Sequence, residues 1–359
     1  MATSGHGARL RAFAEALQRR RINSALVNHG ANIRYLSGFT GSAGILCISN
    51  REARMFTDGR YTAQAAQEVQ GAEVVIDRAP MKAALAWLKQ SPKGPVGFEG
   101  SHLSAADHST LRKAVGRRQT VDLAGLVEEL RMIKDAAEAK RMRAAAKLGV
   151  ELFEVALQNL RPGVKETQIA AELEYAARVR GAEAMSFPTI VASGERSALP
   201  HGRASQAALP ARGFVVLDFG VILCGYCSDM TRTVHLGKPG GRERKLYESV
   251  RTAQQAAVEA VRPGRTFAEI DAIARRRLEK DGWGAFFTHS TGHGVGLEIH
   301  EPPRLAAVEK GKLRAGMVIT IEPGVYLPGE GGVRIEDMVL VTERGHEVLT
   351  PAARHLIAL

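Results

Sequence analysis

Two pairs of segments, each about one hundred residues apart, resemble one another, and this duplication constrains the fold more than any other feature of the chain. "LRPGVKETQIAAEL" (160–173) is matched by "VRPGRTFAEIDAIA" (261–274). Each is a Pro-Gly break followed by an amphipathic helix pattern. "LPARGFVVLDFGV" (209–221) is matched by "KLRAGMVITIEPGV" (312–325), each a turn, an apolar strand, an acid and a glycine. "SDMTRTV" is then echoed by "IEDMVLV". The order and offset are nearly the same throughout. Two related halves packed about a pseudo-two-fold axis are therefore expected.

The repeated acids carry the chemistry. Asp218 ends the apolar run "FVVLDFG", where an acid is costly without a partner. A hairpin turning between Leu223 and Cys224, beside Gly225, would make Asp229 its direct cross-strand partner, with Cβ atoms about 5 Å apart. In the second half Glu322 ends "MVITIEPG" and Glu336 lies in "GGVRIEDMV", equidistant from Gly329 in an evident turn. The pseudo-symmetry would bring the two pairs together. Carboxylates this close repel unless protonated or bridged by cations. Two divalent ions would balance four of them, and paired metals about 3.5–4 Å apart are a known hydrolytic device. "HSTGHGVGLEIHEPP" (289–303) adds His289, His293 and His300 among glycines that permit close backbone approach. It can supply a nitrogen ligand and proton carriers.

The rest of the chain reads as a separate α/β unit followed by helix. "NSALV", "AGILCIS", "GAEVVI" and "PVGFEG" read as strands. "GRYTAQAAQEVQ", "MKAALAWLKQ" and "SAADHSTLRKAV" read as helices, the last capped by Ser104. One long charged helix is expected from "LVEELRMIKDAAEAK" onward. The N-terminal "MATSGHGARLRAFAEALQRRR" has no apolar core of signal-peptide type and reads as an amphipathic helix through Leu10, Phe13 and Leu17. No apolar run is long enough for a membrane span. The net charge is +11, but the basic clusters are scattered among acids and aromatics are only 5 %, which disfavours nucleic acid. Three cysteines are too few for a disulfide framework and suit a reducing, cytoplasmic setting. Cys224-Gly-Tyr-Cys227 reads as a β-turn rather than a redox motif.

The ordered set Asp218, Asp229, His293, Glu322 and Glu336, in "LDFG…SDMTRTV", "HSTGHGVGLEIHEPP", "ITIEPGVY" and "GGVRIEDMV", resembles the metal-ligand set of the pita-bread metallopeptidases. "NIRYLSGFTGS" and "FTDGRYTAQA" resemble the first domain of their proline-specific branch, as do His201 in "LPHG" and Arg334 two residues before Glu336. The resemblance implies an α+β chain. An N-terminal α/β creatinase-like domain (1–125) is followed by a pseudo-two-fold pita-bread catalytic domain (126–359). It implies two divalent ions, Mn²⁺ first and Co²⁺, Zn²⁺ or Fe²⁺ otherwise. Asp218 would chelate one ion, Asp229 and Glu336 would bridge both, and His293 and Glu322 would complete a shell. Glu322 would move the proton, His201 and His300 would contact substrate and intermediate, and His289 would line the site. Arg334 would bind substrate or orient ligands through an ion pair.

The implied substrate is a peptide with proline in second position. The first expectation is an Xaa-Pro aminopeptidase, with an Xaa-Pro dipeptidase (prolidase) as its alternative and a homodimer as its assembly. Arg304 could hold a dipeptide carboxylate, though a surface role is the stronger expectation. An inactive binding protein on the same fold is disfavoured because all five ligand positions are intact.

Overall fold

A computed structural model describes residues 5–359, and the chain divides between Arg131 and Met132 into two compact units. Residues 1–4, the start of the Arg-rich segment, lie outside the described residues. Among the described residues no helix is long and apolar enough to cross a membrane.

The first unit is a six-stranded sheet with helices. Its spatial order is Glu73–Ile76, Ala53–Thr57, Ile45–Ser49, Ser24–Val27, Val96–Phe98, Thr120–Asp122. It mixes parallel and antiparallel pairs. The strand Ile45–Ser49 is buried throughout, which explains its unbroken apolar run. Leu10, Phe13 and Leu17 are buried on one face of the helix His6–Arg19, as their spacing predicts. Ser104 caps Ala105–Val115 by accepting from the Asp107 amide at 3.1 Å. Three elements lacked a clear sequence pattern: the helix Gly30–Ser37 and the strands Ala53–Thr57 and Thr120–Asp122.

The long charged helix is in fact two. Leu126–Arg131 ends, and Ala136–Asn159 starts afresh from Asp135. The Asp135 carboxylate accepts from the Glu138 amide at 2.9 Å, and Glu138 accepts from the Asp135 amide at 2.9 Å. This reciprocal cap satisfies amides that a continuous helix would have paired internally. The signal, Asp-x-x-Glu, was present in the sequence but masked by the continuing helical pattern.

The second unit contains the duplication. The Gly163 amide donates to the Leu209 carbonyl at 2.9 Å, and the Gly264 amide donates to the Leu313 carbonyl at the same distance. Isolated bridges Lys165↔Ala208 and Thr266↔Lys312 repeat the match. In each half the Pro-Gly break leads into a helix, Glu166–Val179 or Phe267–Lys280.

Strand alternation then separates packing from chemistry. Val215, Leu217 and Phe219 pack with Leu152, Phe153, Ile169 and Leu173 of the first-half helices. Ile319 and Ile321 pack with Val258, Ile270 and Ala274 of the second. Burying such a side chain is worth about 1.5–3 kcal/mol, so these faces fix which way each strand turns. Asp218, Thr320 and Glu322 occupy the intervening positions and project from the opposite faces.

Candidate metal centre

The first hairpin differs from expectation by two residues of register. Cys224 and Gly225 form the turn with φ of 50° and 76°. Two positive φ values suit the twist of a tight two-residue hairpin. Leu223 therefore pairs with Tyr226, and Asp218 stands opposite Thr231, not Asp229. Asp229 and Asp218 are diagonal neighbours on one face, not direct partners. Cys224-Gly-Tyr-Cys227 is a hairpin turn, as expected.

The second hairpin follows expectation. Gly324 pairs with Arg334 and Ile321 with Asp337. Both ladders are centred on Gly329, whose φ is 77°. Glu322 and Glu336 face each other in the gap between them. The halves are then stitched across this gap. The Glu336 amide donates to the Thr231 carbonyl at 3.1 Å, and Thr231 Oγ1 donates to Glu336 Oε2 at 2.7 Å.

His293 enters on the strand Gly292–Gly294, and its glycine neighbours are a steric requirement. A Cβ at Gly292 would lie 1.9 Å from the Thr320 carbonyl oxygen, and one at Gly294 would lie 2.3 Å from that of Pro302. The ring's Nδ1 donates to the Gly294 carbonyl at 3.0 Å. Nε2 is left facing the acids, 3.3 Å from Glu322 Oε1 and 3.6 Å from Asp229 Oδ2. Thr320 Oγ1 accepts from the His293 amide and donates to Glu322 Oε1, both at 3.0 Å, fixing the two relative to each other.

The donor set fits divalent metal. Ligand atoms of Asp229, His293 and Glu336 all lie within 4.8 Å of one another. Asp218 Oδ1 and Glu336 Oε1 are buried with no hydrogen-bond partner among the described residues. An orphaned buried acceptor is costly, and a cation removes the cost. Burial, then the neighbouring carboxylates, pushes Asp229 and Glu336 well above the usual carboxylate range. Burial raises Glu322 as well, against the pull of His289 and Arg334. Burial lowers His293, which favours the neutral, metal-ligating ring.

A cleft of about 930 Å³ opens over these groups, lined by His201, His289, His300, Arg334 and Arg304 as well as the five expected ligands. His201 and His300 are exposed to it. The His300 ring meets His293 edge-on at 4.5 Å. His289 is more constrained. Its Nδ1 donates to the Ser290 carbonyl at 2.8 Å, so Nε2 accepts from the Tyr326 hydroxyl at 2.9 Å. Arg334 donates to Tyr326 at 2.8 Å, to the Pro200 carbonyl at 3.0 Å and to Asp218 Oδ2 at 2.6 Å.

Several supporting residues escaped the sequence reading. Tyr326 joins Arg334 to His289. Asp271 accepts from the Thr291 amide at 3.1 Å and from Arg275, whose guanidinium also donates to the His289 carbonyl at 2.9 Å. Arg232, buried in its strand, donates to Asp337 at 2.7 Å and to the Thr350 and Ala352 carbonyls at 2.9 and 3.0 Å. Asp337 is the neighbour of Glu336, so the pair braces that expected ligand position from behind. A charge at mid-strand or on an apolar helix face was the available signal.

Comparison with known proteins agrees with this geometry. Residues 9–133 match the Creatinase/Prolidase N-terminal domain and residues 140–343 match Metallopeptidase family M24. The chain is 36 % identical to the Xaa-Pro dipeptidase of Pyrococcus horikoshii over 96 % of its own length and 97 % of the relative's. The structure of an Xaa-Pro dipeptidase from Bacillus anthracis superposes with a TM-score of 0.94 at 40 % identity, covering 99 % of both chains. That of an X-Pro aminopeptidase from Thermotoga maritima superposes with a TM-score of 0.89 at 35 % identity, covering 98 % of this chain and 99 % of the other. With both domains matched, the pita-bread fold in place and its acids converging on His293, the chain belongs to metallopeptidase family M24.

Proposed function

We propose that this protein is an Xaa-Pro dipeptidase, hydrolysing the bond between an N-terminal residue and a C-terminal proline with two divalent ions held by Asp218, Asp229, His293, Glu322 and Glu336. The observation that carries the dipeptide reading is Arg304. It is the cross-strand partner of His293 and lines the same cleft, so a free carboxylate can be held one strand away from the ligand set. The Pyrococcus horikoshii and Bacillus anthracis proteins, both named Xaa-Pro dipeptidases, support the same choice. The aminopeptidase, first on sequence grounds, becomes the second reading, supported by the Thermotoga maritima neighbour.

When bound, the ions, Mn²⁺ first and Co²⁺, Zn²⁺ or Fe²⁺ otherwise, would bring a water's pKa toward neutrality and polarise the scissile carbonyl. The protein does the rest. Phe187, Ile190, Phe267 and Pro302 give the cleft an apolar lining suited to a pyrrolidine ring. Glu322, raised by burial, takes the proton and passes it to the proline nitrogen. His300, whose pKa is lowered by partial desolvation and then by His293, and His201 donate to the carbonyl oxygen as negative charge develops. Arg334 holds Asp218, and through Tyr326 it fixes His289. A homodimer in a reducing cytoplasm completes the reading.

The deciding experiment compares Ala-Pro with Ala-Pro-Ala, using protein stripped and reloaded with Mn²⁺. Rapid cleavage of the dipeptide with the tripeptide nearly untouched is expected. The reverse makes the protein an aminopeptidase. Failure on both, with each of the four metals, overturns the peptidase reading.

A further inference from the structure

The carboxylate of Glu166 lies outside the cleft, yet it collects five donors from one short segment. Its side chain is fully buried, at 0 % exposure. Oε1 accepts from the Ser193 amide at 2.8 Å and from Ser193 Oγ at 2.9 Å. Oε2 accepts from the Ser205 amide at 3.0 Å and from Ser205 Oγ at 2.7 Å. Arg196 Nε donates between them, 3.1 Å from Oε2. One carboxylate therefore grips both ends of the loop between Ser193 and Ser205, and that loop carries His201.

The loop is braced further at every limb. The Glu166 amide donates to the Ala207 carbonyl at 3.0 Å and the Thr167 amide to that of Ser205 at 3.1 Å. Arg196 crosses the loop to the Arg203 carbonyl at 2.8 Å. Ser197 Oγ accepts from the Gly332 amide at 2.8 Å, tying the loop to the strand Gly331–Arg334. The Pro200 carbonyl, next to His201, accepts from Arg334, which also holds Asp218. A loop fastened in this way is a fixed wall, not a mobile flap.

We infer that Glu166 is a positioning residue that holds the His201 loop in its working geometry. Charge-assisted hydrogen bonds to backbone amides at two points twelve residues apart remove most of the loop's freedom. They do so without touching substrate or ligand set. The inference rests on the proposed peptidase reading for its consequence in turnover, but the clamp itself does not.

The test uses the full chain reloaded with Mn²⁺ and the variants Glu166→Gln, Glu166→Asp, His201→Ala and the double variant Glu166→Gln/His201→Ala. A misplaced group can cost on the order of 10²-fold in rate. Glu166→Gln should lower kcat on Ala-Pro by roughly 10–10²-fold with KM and bound Mn²⁺ little changed. Glu166→Asp should recover part of the loss. In the His201→Ala background, Glu166→Gln should add less than about threefold, since both changes remove one function. Additive losses, or a fall in bound Mn²⁺ matching the fall in kcat, would overturn the inference. Exchange of the Ser193 and Ser205 amides should quicken at least about tenfold in Glu166→Gln, and unchanged exchange would also overturn it. This last readout needs no substrate, so it separates failure of the clamp from failure of the peptidase reading.

Discussion

Arg334 and Asp218 stand 116 positions apart in the chain and 2.6 Å apart in the fold, one from each half of the duplication. The contact places a guanidinium beside a group of carboxylates that must otherwise repel one another. It also leaves Asp218 with one oxygen held by Arg334 and the other buried without a hydrogen bond among the described residues. An ion pair of this kind orients the Asp218 carboxylate and does not neutralise the site. Replacing Arg334 by Ala should weaken Mn²⁺ binding by roughly 10–10²-fold, and Arg334→Lys should not restore it, because four separate acceptors, on Thr231, Pro200, Tyr326 and Asp218, need the planar fork. Metal titration followed by activity checks both.

The chelated protein should lose stability as pH rises. Asp229, Glu322 and Glu336 have folded-state pKa values raised above their unfolded ones by burial and mutual repulsion. Their contribution is fully present below the unfolded carboxylate range, about pH 4, and is lost as pH rises through the raised folded values. Melting temperatures in EDTA should therefore fall from pH 5 toward pH 8 more steeply than those of the Mn²⁺-loaded protein. Asp229→Asn should flatten the EDTA slope, and it should abolish metal binding and activity together. An equal slope in both would refute this electrostatic account.

His300→Ala should retain metal and lose turnover. The ring is exposed to the cleft and touches His293 only edge-on, so its removal leaves every expected ligand in place. A drop in kcat of about 10²-fold or more, with unchanged Mn²⁺ stoichiometry, is expected. Normal turnover would remove His300 from the mechanism.

Arg304→Ala should raise KM for Ala-Pro by roughly 10-fold or more while leaving hydrolysis of Ala-Pro-amide little affected. Only the free acid offers the carboxylate that the guanidinium would hold. Equal effects on the two substrates would return Arg304 to the surface role first expected of it.

Arg232→Met should destabilise the protein by about 3–5 kcal/mol, read from denaturant unfolding. Arg232 is 1 % exposed at its side chain and paired with a fully buried Asp337. Removing one partner leaves the other's charge incompletely compensated. A change below about 1 kcal/mol would mean that Gln254 and Arg354, which also reach Asp337, suffice.

That the five expected ligand positions line one cleft was legible because each sits at the polar step of an alternating or glycine-rich strand pattern, and such patterns declare which face a residue takes. Glu322 and Glu336 were legible even in register, since Gly329 centres their hairpin. Asp218 and Asp229 were not. A one-residue displacement of the turn, onto Cys224 and Gly225, shifts the pairing by two and turns direct partners into diagonal ones. The faces survived this error because a shift of two preserves them.

The sequence by itself determined the duplication, the acids at the ends of its apolar strands and the histidine that meets them. These follow from local periodicity, which one strand or one turn carries alone. Only the tertiary structure decided that Thr231 supports Glu336, that Arg334 holds Asp218, that Tyr326 joins Arg334 to His289, and that Glu166 closes the loop bearing His201. Apart from Tyr326's hydrogen bond to Arg334 eight residues on, these contacts join groups separated by 27 to 116 residues. Side-chain hydrogen bonds over such spans leave no period in the chain. They exist because burying each charge in the folded interior requires a partner, and packing alone decides which partner is within reach.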